Sequence, residues 1–210
     1  MKHLGILLSG RGSNFEAIAD HIKRGKLRAR IVVVISNLSQ ALGLEKARQR
    51  GLQAVFVDSK GLSREEYDEK VVAVLQDMQV DLVCLAGFMR LLSRKFIQSF
   101  PQRILNIHPS LLPAFPGLNA QRQALEHGVK YSGCTVHFVD EGLDSGPIIL
   151  QSVVPVLESD TEESLSARIL VEEHKLYAKA IQLVLDKRIR LEGRRVIEVN
   201  CHHPSAGCEA

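Results

Sequence analysis

The sequence predicts an α/β protein with a mainly parallel sheet, helices on both faces of the sheet, and an antiparallel strand pair in the C-terminal half. Up to residue 108, short and continuously apolar runs alternate with helical patterns, which is typical of a parallel sheet that is buried on both sides. After residue 129 this alternation stops, and two strand patterns follow one another with only a seven-residue loop between them.

The first five strands are predicted from short apolar runs with polar or turn-forming residues on either side. They cover residues 4–8, 31–35, 54–57, 81–86 and 104–108. The helices between them cover residues 13–24, 43–50, 63–79 and 93–99. The helix that follows Ser63 has the clearest start, because Glu66 stands three residues later and completes the pattern of a capping box.

The antiparallel pair is predicted over residues 131–139 and 147–154, with residues 140–146 as an acidic loop that contains glycine. A long helical pattern follows over residues 161–187, and a short strand over residues 196–199. No internal repeat, low-complexity segment or linker interrupts these elements, so we predict one domain.

The last eleven residues, 200–210, are predicted to be a flexible tail. They contain Cys201, His202, His203 and Cys208, a density of cysteine and histidine that can also bind zinc. A disordered terminus is the favoured interpretation, and we predict no metal.

Composition and charge narrow the function classes. A net charge of +3, with both signs interspersed, does not favour nucleic acid as a partner. No apolar stretch reaches the roughly 18 residues of a membrane span, and the N-terminus passes into a strand without the pattern of a secretory signal. Cys84 and Cys134 lie within strand patterns, as buried thiols of a reducing compartment do. We therefore expect a cytoplasmic protein without membrane contact, either a monomer or a homodimer.

Residues 9–14, Ser-Gly-Arg-Gly-Ser-Asn, connect the first strand to the first helix. Glycines let the backbone approach an anion, and free N–H groups at a helix start favour phosphate. A dinucleotide fingerprint would need glycine where Phe15 stands, and the lysine of a P-loop is absent. The loop therefore fits a monophosphate better than NAD or ATP, with a plain turn as the alternative.

Asn106 and His108 stand two positions apart at the end of the fifth strand, so their side chains share a face. An amide can donate to a developing oxyanion, and an imidazole can exchange a proton near neutral pH. Asp144, in the loop between the late strands, would hold His108 in its charged form if the loop folded over the strand end. The alternatives are a locally hydrogen-bonded pair for the first two and a turn residue for Asp144. The default interpretation of His137 is a histidine that belongs to the core or supports the site.

Four segments in this order resemble the family of 10-formyltetrahydrofolate-dependent formyltransferases. They are Ser-Gly-Arg-Gly-Ser-Asn at 9–14, Leu-Ala-Gly-Phe-Met-Arg at 85–90, Asn-Ile-His-Pro-Ser-Leu-Leu-Pro at 106–113 and Leu-Asp-Ser-Gly-Pro-Ile at 143–148. The likeness runs from about residue 3 to residue 199. It implies a Rossmann-like formyltransferase fold and transfer of a formyl group from 10-formyltetrahydrofolate to the amine of glycinamide ribonucleotide, in purine synthesis, without a metal.

The resemblance also implies roles for individual residues. The catalytic group would be Asn106, His108 and Asp144, with His137 as support. The substrate would be bound by Gly12, Ser13, Asn14, Arg64 and Glu173. The folate would be bound by Met89, Arg90, Leu91, Leu92, Val139, Asp140 and Glu141. The predicted domain over residues 1–199 would thus have a phosphate-binding half to about residue 100 and a folate-binding, catalytic half from about residue 101.

Three other functions compete with this interpretation. A deformylase acting on the same folate would be expected to carry an N-terminal regulatory domain. The enzyme that formylates initiator methionyl-tRNA would be expected to carry a basic C-terminal domain. A non-catalytic phosphate-binding module would leave Asn106, His108 and Asp144 without a purpose.

Overall fold

A seven-stranded sheet forms the centre of the computed structural model, which describes residues 1–199. Its strands are β1 (Lys2–Leu8), β2 (Ala29–Ser36), β3 (Ala54–Phe56), β4 (Leu82–Leu85), β5 (Ile104–His108), β6 (Tyr131–Phe138) and β7 (Ile148–Pro155). They lie in the order β3-β2-β1-β4-β5-β6-β7, with parallel pairing from β3 to β5 and antiparallel pairing of β6 and β7. The predicted fold class is confirmed. The predicted tail, with the zinc alternative, lies outside the described residues.

Six helices and a small hairpin complete the described part of the chain. The helices are α1 (Ser13–Lys23), α2 (Leu42–Gln49), α3 (Arg64–Asp77), α4 (Arg94–Ser99), α5 (Ala120–Glu126) and α6 (Glu162–Leu185). The hairpin pairs β8 (Ile189–Glu192) with β9 (Arg195–Glu198). Within residues 1–199, no helix combines the length and the apolar character that a membrane crossing requires.

Helix α5 and strand β8 were not predicted from the sequence. Helix α5 has seven residues, and its N-cap, Asn119, is left-handed and makes no hydrogen bond from its side chain. Strand β8 has four residues and pairs only with β9, in a sheet separate from the main one. Elements this short depend on tertiary contacts, since a turn or two of helix or an isolated strand pair is marginal alone.

The sheet separates two apolar cores. Helices α1, α2, α5 and α6 contribute to one core, and α3 and α4 to the other, so both faces are covered as predicted. In β5, Leu105 and Ile107 point into the first core and Ile104 into the second. By the alternation of a strand, Asn106 and His108 share the face of Ile104.

Tyr177 of α6 fixes the ends of β4 and β5. Its ring is fully buried, and its hydroxyl oxygen lies 3.0 Å from the carbonyl oxygens of both Leu85 and Leu105. Burial raises the pKa of Tyr177 well above its usual value, so the hydroxyl keeps its proton and donates it to these carbonyls. The bridge lies directly before Asn106 in the chain.

Replacing Tyr177 with Phe tests this bridge, because it leaves two buried carbonyls without their donor. We expect Tyr177→Phe to lower the free energy of unfolding by about 1–2 kcal/mol. The control is Tyr131→Phe, which removes the same atom from a side chain that is 64% exposed and should cost less than about 0.5 kcal/mol. Urea unfolding measures both, and equal losses would contradict the bridge.

Candidate active site

The fifth and sixth strands bring four polar side chains together on one face of the sheet. In the antiparallel register Asn106 lies opposite His137, and His108 lies opposite Thr135. Directly opposite residues share a face, so these side chains are neighbours. The His108 and His137 rings are almost fully buried.

The loop between β6 and β7 adds Asp144 to this group. One carboxylate oxygen, Oδ2, accepts a hydrogen bond from the Gly117 N–H at 2.8 Å and lies 3.4 Å from Nδ1 of His108. The other, Oδ1, accepts from the Asn106 amide at 3.3 Å and lies 3.7 Å from Nε2 of His137. One carboxylate therefore contacts three segments that are far apart in sequence.

Backbone carbonyls fix the orientation of both imidazoles. Nε2 of His108 lies 2.8 Å from the Phe115 carbonyl, which can only accept, so Nε2 carries a proton and Nδ1 faces Asp144. Nδ1 of His137 donates to the Phe138 carbonyl at 2.8 Å, which leaves Nε2 to accept from the Asn106 amide at 3.2 Å. The two N–H groups of the Asn106 amide therefore donate to Nε2 of His137 and to Oδ1 of Asp144.

His137 is held in its neutral form. Burial lowers its pKa, and this effect outweighs the Phe138 carbonyl and the negative charge of Asp144, which both favour the protonated ring. A neutral His137 can accept the Asn106 hydrogen bond, whereas a protonated ring could not. The orientation of Asn106 thus depends on the protonation state of His137.

Two backbone groups of the site, the Phe115 carbonyl and the Gly117 N–H, were not found from the sequence. They belong to the loop after β5, which is held by a Leu112 N–H bond to the Thr135 hydroxyl at 3.1 Å and a Gln151 amide bond to the Leu112 carbonyl at 2.9 Å. The only sequence signal was the rigid, proline-rich composition of the loop, because backbone donors and acceptors are the same in every residue.

The glycine loop before α1 has the form of an anion site. Gly12 is left-handed, with φ of 74°, and α1 begins at Ser13 without a side-chain cap. The first N–H groups of a helix lack acceptors within the helix, so those of Ser13, Asn14 and Phe15 can bind an anion. A Cβ on Gly12 would lie 2.8 Å from Cα of Gly43, so the loop also packs closely against α2.

Glu173 of α6 lies beside this loop. Its carboxylate accepts a hydrogen bond from the Asn14 amide at 2.7 Å, and burial raises the pKa of Glu173. The amide oxygen of Asn14 is buried and has no partner within residues 1–199. Arg64 is exposed at the start of α3, and no hydrogen bond within the described chain joins it to these residues.

The residues that the resemblance assigns to folate form a partly exposed apolar surface. Met89 is 67% and Leu91 is 53% exposed, whereas Leu92 and Val139 pack against the second core. This packing places the segments after β4 and β6 on the same side of the sheet.

Polar contacts complete this surface. Glu141 forms an ion pair with Arg94 at 3.0 Å, and the Asp140 carboxylate accepts from the Ser145 hydroxyl at 2.7 Å. The Arg90 guanidinium lies 4.4 Å from the centre of the Tyr67 ring, and its Nε has no partner within residues 1–199. A carboxylate on a ligand could therefore bind Arg90.

Comparison with known proteins points to one family. A model of the formyl transferase family matches residues 2–181. The chain is 44% identical over 187 residues to phosphoribosylglycinamide formyltransferase from Escherichia coli, covering 89% of this chain and 88% of the relative. It has a TM-score of 0.94 and 55% identity to the crystal structure of glycinamide ribonucleotide transformylase 1 from Symbiobacterium toebii, covering 95% of each chain.

Some relatives are much longer than this chain. The trifunctional purine biosynthetic protein adenosine-3 of Drosophila pseudoobscura pseudoobscura is 46% identical over 206 residues, which are 97% of this chain. The matched chain spans only 15% of the length of that protein.

The neutral state of His137 predicts a pH dependence of stability. The folded pKa lies below the ordinary value of 6.5, so below about pH 6.5 the unfolded chain binds more protons and the free energy of unfolding falls as the pH falls. In His137→Gln, which keeps an acceptor for Asn106, this component should vanish. Urea unfolding at pH 7.5, 6.5 and 5.5 should give a shallower decline than in the wild type, by at most about 1.4 kcal/mol per pH unit. Equal declines would contradict the neutral His137.

Proposed function

The chain belongs to the formyl transferase family, and we propose that it transfers the formyl group of 10-formyltetrahydrofolate to the primary amine of glycinamide ribonucleotide. The observation that carries this proposal is the group of Asn106, His108 and Asp144 at the end of β5. Strands β1, β4 and β5 are parallel neighbours, so the helix start after β1, suited to a phosphate, and the apolar surface after β4, suited to a flat heterocycle, lie at the same edge of the sheet as this group.

The reaction begins with attack of the amine nitrogen on the formyl carbon, so a C–N bond forms and negative charge develops on the formyl oxygen. Asn106, by releasing its 3.3 Å hydrogen bond to Asp144, and protonated His108 stabilise this oxygen by donating hydrogen bonds. The 3.4 Å between Nδ1 of His108 and Asp144 exceeds ordinary hydrogen-bond length, which leaves the Nδ1 proton available to an incoming oxygen. One such donor contributes roughly 3 kcal/mol in a site that excludes water.

Asp144 performs two tasks in this mechanism. Its carboxylate faces Nδ1 of His108 at 3.4 Å and orients this ring beside the neutral His137. It also accepts a proton from the attacking amine through a water molecule, and the proton then passes to N10 of the folate as the bond between N10 and the formyl carbon breaks. No metal is required, because an amine is the nucleophile and the leaving nitrogen takes up a proton.

The binding residues follow from the same arrangement. The N–H groups of Ser13 and Asn14 bind the ribonucleotide phosphate, with Gly12 allowing its close approach. The buried Asn14 and Glu173 pair offers a carboxylate and an unpartnered amide oxygen to the hydroxyl groups of the ribose. Arg64 supplies a further positive charge at the edge of the site.

The folate lies across the two segments that follow β4 and β6. Met89, Leu91, Leu92 and Val139 provide the apolar contacts, and Asp140 and Glu141 provide acceptors for the polar edge of the heterocycle. Arg90 binds a carboxylate of the folate tail. We further propose that the protein acts in the cytoplasm on small molecules, without nucleic acid or membrane.

The assay that tests this function follows folate release from 10-formyltetrahydrofolate with and without glycinamide ribonucleotide. The proposal predicts release only when the ribonucleotide is present, with one formylated amine formed per folate released. Release at the same rate without the amine would instead identify a deformylase. No release under either condition would point to a binding module.

Substitutions test the catalytic group. We expect Asn106→Ala, His108→Ala and Asp144→Ala each to lower kcat at least about 100-fold. The first two remove a hydrogen-bond donor to the formyl oxygen, and the third removes the carboxylate that faces His108. His21→Ala, in the last turn of α1, is the control for loss of an imidazole and should stay within about twofold of the wild type. Near wild-type turnover of all three variants would refute the assignment.

A further inference from the structure

The loop that carries Asp144 is weakly supported by its own residues. Asp144 is left-handed, with φ of 47°, a conformation that is uncommon outside glycine and that Asp adopts more readily than most other residues. At the entrance of the loop, Asp140 accepts from the Gly142 N–H and the Ser145 hydroxyl. At its exit, Gly146 is pressed against the Phe138 carbonyl.

Behind this loop lies a small cavity of about 190 Å³. Asp144 and Ser145 line it on one side, and Pro113 and Pro116 of the loop after β5 on another. No side chain fills this space, so packing does not hold the middle of the loop from behind. A polar contact across the cavity would add a further constraint to the hydrogen bonds of Asp140 and Asp144.

Arg194 makes that contact. It lies in the turn between β8 and β9, lines the same cavity, and donates from Nη2 to the backbone carbonyl of Ser145, the residue after Asp144. The turn is anchored, because β8 pairs with β9 and Leu191 and Val196 pack against the first core. The Arg188 carbonyl also accepts from the Val199 N–H at 2.8 Å.

This contact comes from a part of the chain that the family match does not include. The family model ends at residue 181, whereas the hairpin starts at Ile189. The residues assigned to catalysis all precede it. Arg194 thus lies outside the matched family segment, in a separate hairpin.

We propose that Arg194 is a positioning residue for formyl transfer. By holding the Ser145 carbonyl, it keeps Asp144 in the left-handed conformation that directs its carboxylate to His108 and to the Gly117 N–H. The inference rests on the proposed function for its effect on turnover. Its structural part is that the position of the Asp144 carboxylate depends on Arg194. This part does not depend on the proposed function.

Turnover is tested with three variants. Arg194→Ala should lower kcat about 5- to 50-fold with a smaller change in either KM, because Arg194 contacts Ser145, beside Asp144, and neither Asp140 nor Glu141. Arg194→Lys should recover much of the loss, since an ammonium can still donate to a carbonyl. The matched control is Arg195→Ala, which removes an exposed arginine from the same hairpin and should stay within twofold of the wild type. Equal kcat for Arg194→Ala and Arg195→Ala would overturn the proposal.

A measurement without substrate separates this proposal from the proposed function. The amide proton of Gly117 reports on its hydrogen bond to Asp144. In NMR spectra of Arg194→Ala, its chemical shift should move toward that of Asp144→Ala and its exchange with solvent should accelerate, whereas Arg195→Ala should match the wild type. An unchanged Gly117 signal in Arg194→Ala would overturn the proposal even if turnover fell. If the wild type were inactive in formyl transfer but the Gly117 signal still shifted in Arg194→Ala, only the proposed reaction would be rejected.

Discussion

The carboxylate of Asp144 is the interaction on which the site depends. It accepts hydrogen bonds from Asn106 at the end of β5 and from the Gly117 N–H in the proline-rich loop, and it faces the His108 ring. These groups meet only because β6 returns antiparallel beside β5 and the following loop folds back over the strand end. Without the carboxylate, two half-buried donors would lose an acceptor and Nδ1 of the buried His108 ring would face none, which is costly.

The surroundings of this carboxylate limit the charge that must be buried. His137 is kept neutral, so one carboxylate faces at most one protonated imidazole. Each imidazole uses a backbone carbonyl, that of Phe115 or Phe138, to fix which nitrogen carries the proton. Because the site excludes much of the solvent, these fixed dipoles act more strongly than they would in water. Orientation is thus determined before a substrate arrives.

The sequence was informative where side-chain patterns repeat. Apolar runs predicted the strands, and a two-residue spacing predicted that Asn106 and His108 share a face. It offered Asp144 as a candidate but could not predict that Asp144 reaches them, because that depends on the path of a loop; the resemblance supplied this contact. It missed α5, β8 and the Gly117 N–H, since short elements and backbone groups carry no side-chain signal. Arg194 was missed because its partner is a carbonyl 49 residues away.

A double-mutant cycle between Asp144 and His108 tests the central claim most directly. The quantity is kcat/KM for formyl transfer in the wild type, Asp144→Asn, His108→Gln and the double variant. If the carboxylate acts through the imidazole, the double variant is about as slow as the slower single variant, with a coupling energy of at least about 2 kcal/mol. If the two losses multiply and the coupling is near zero, the residues act separately and the account is wrong.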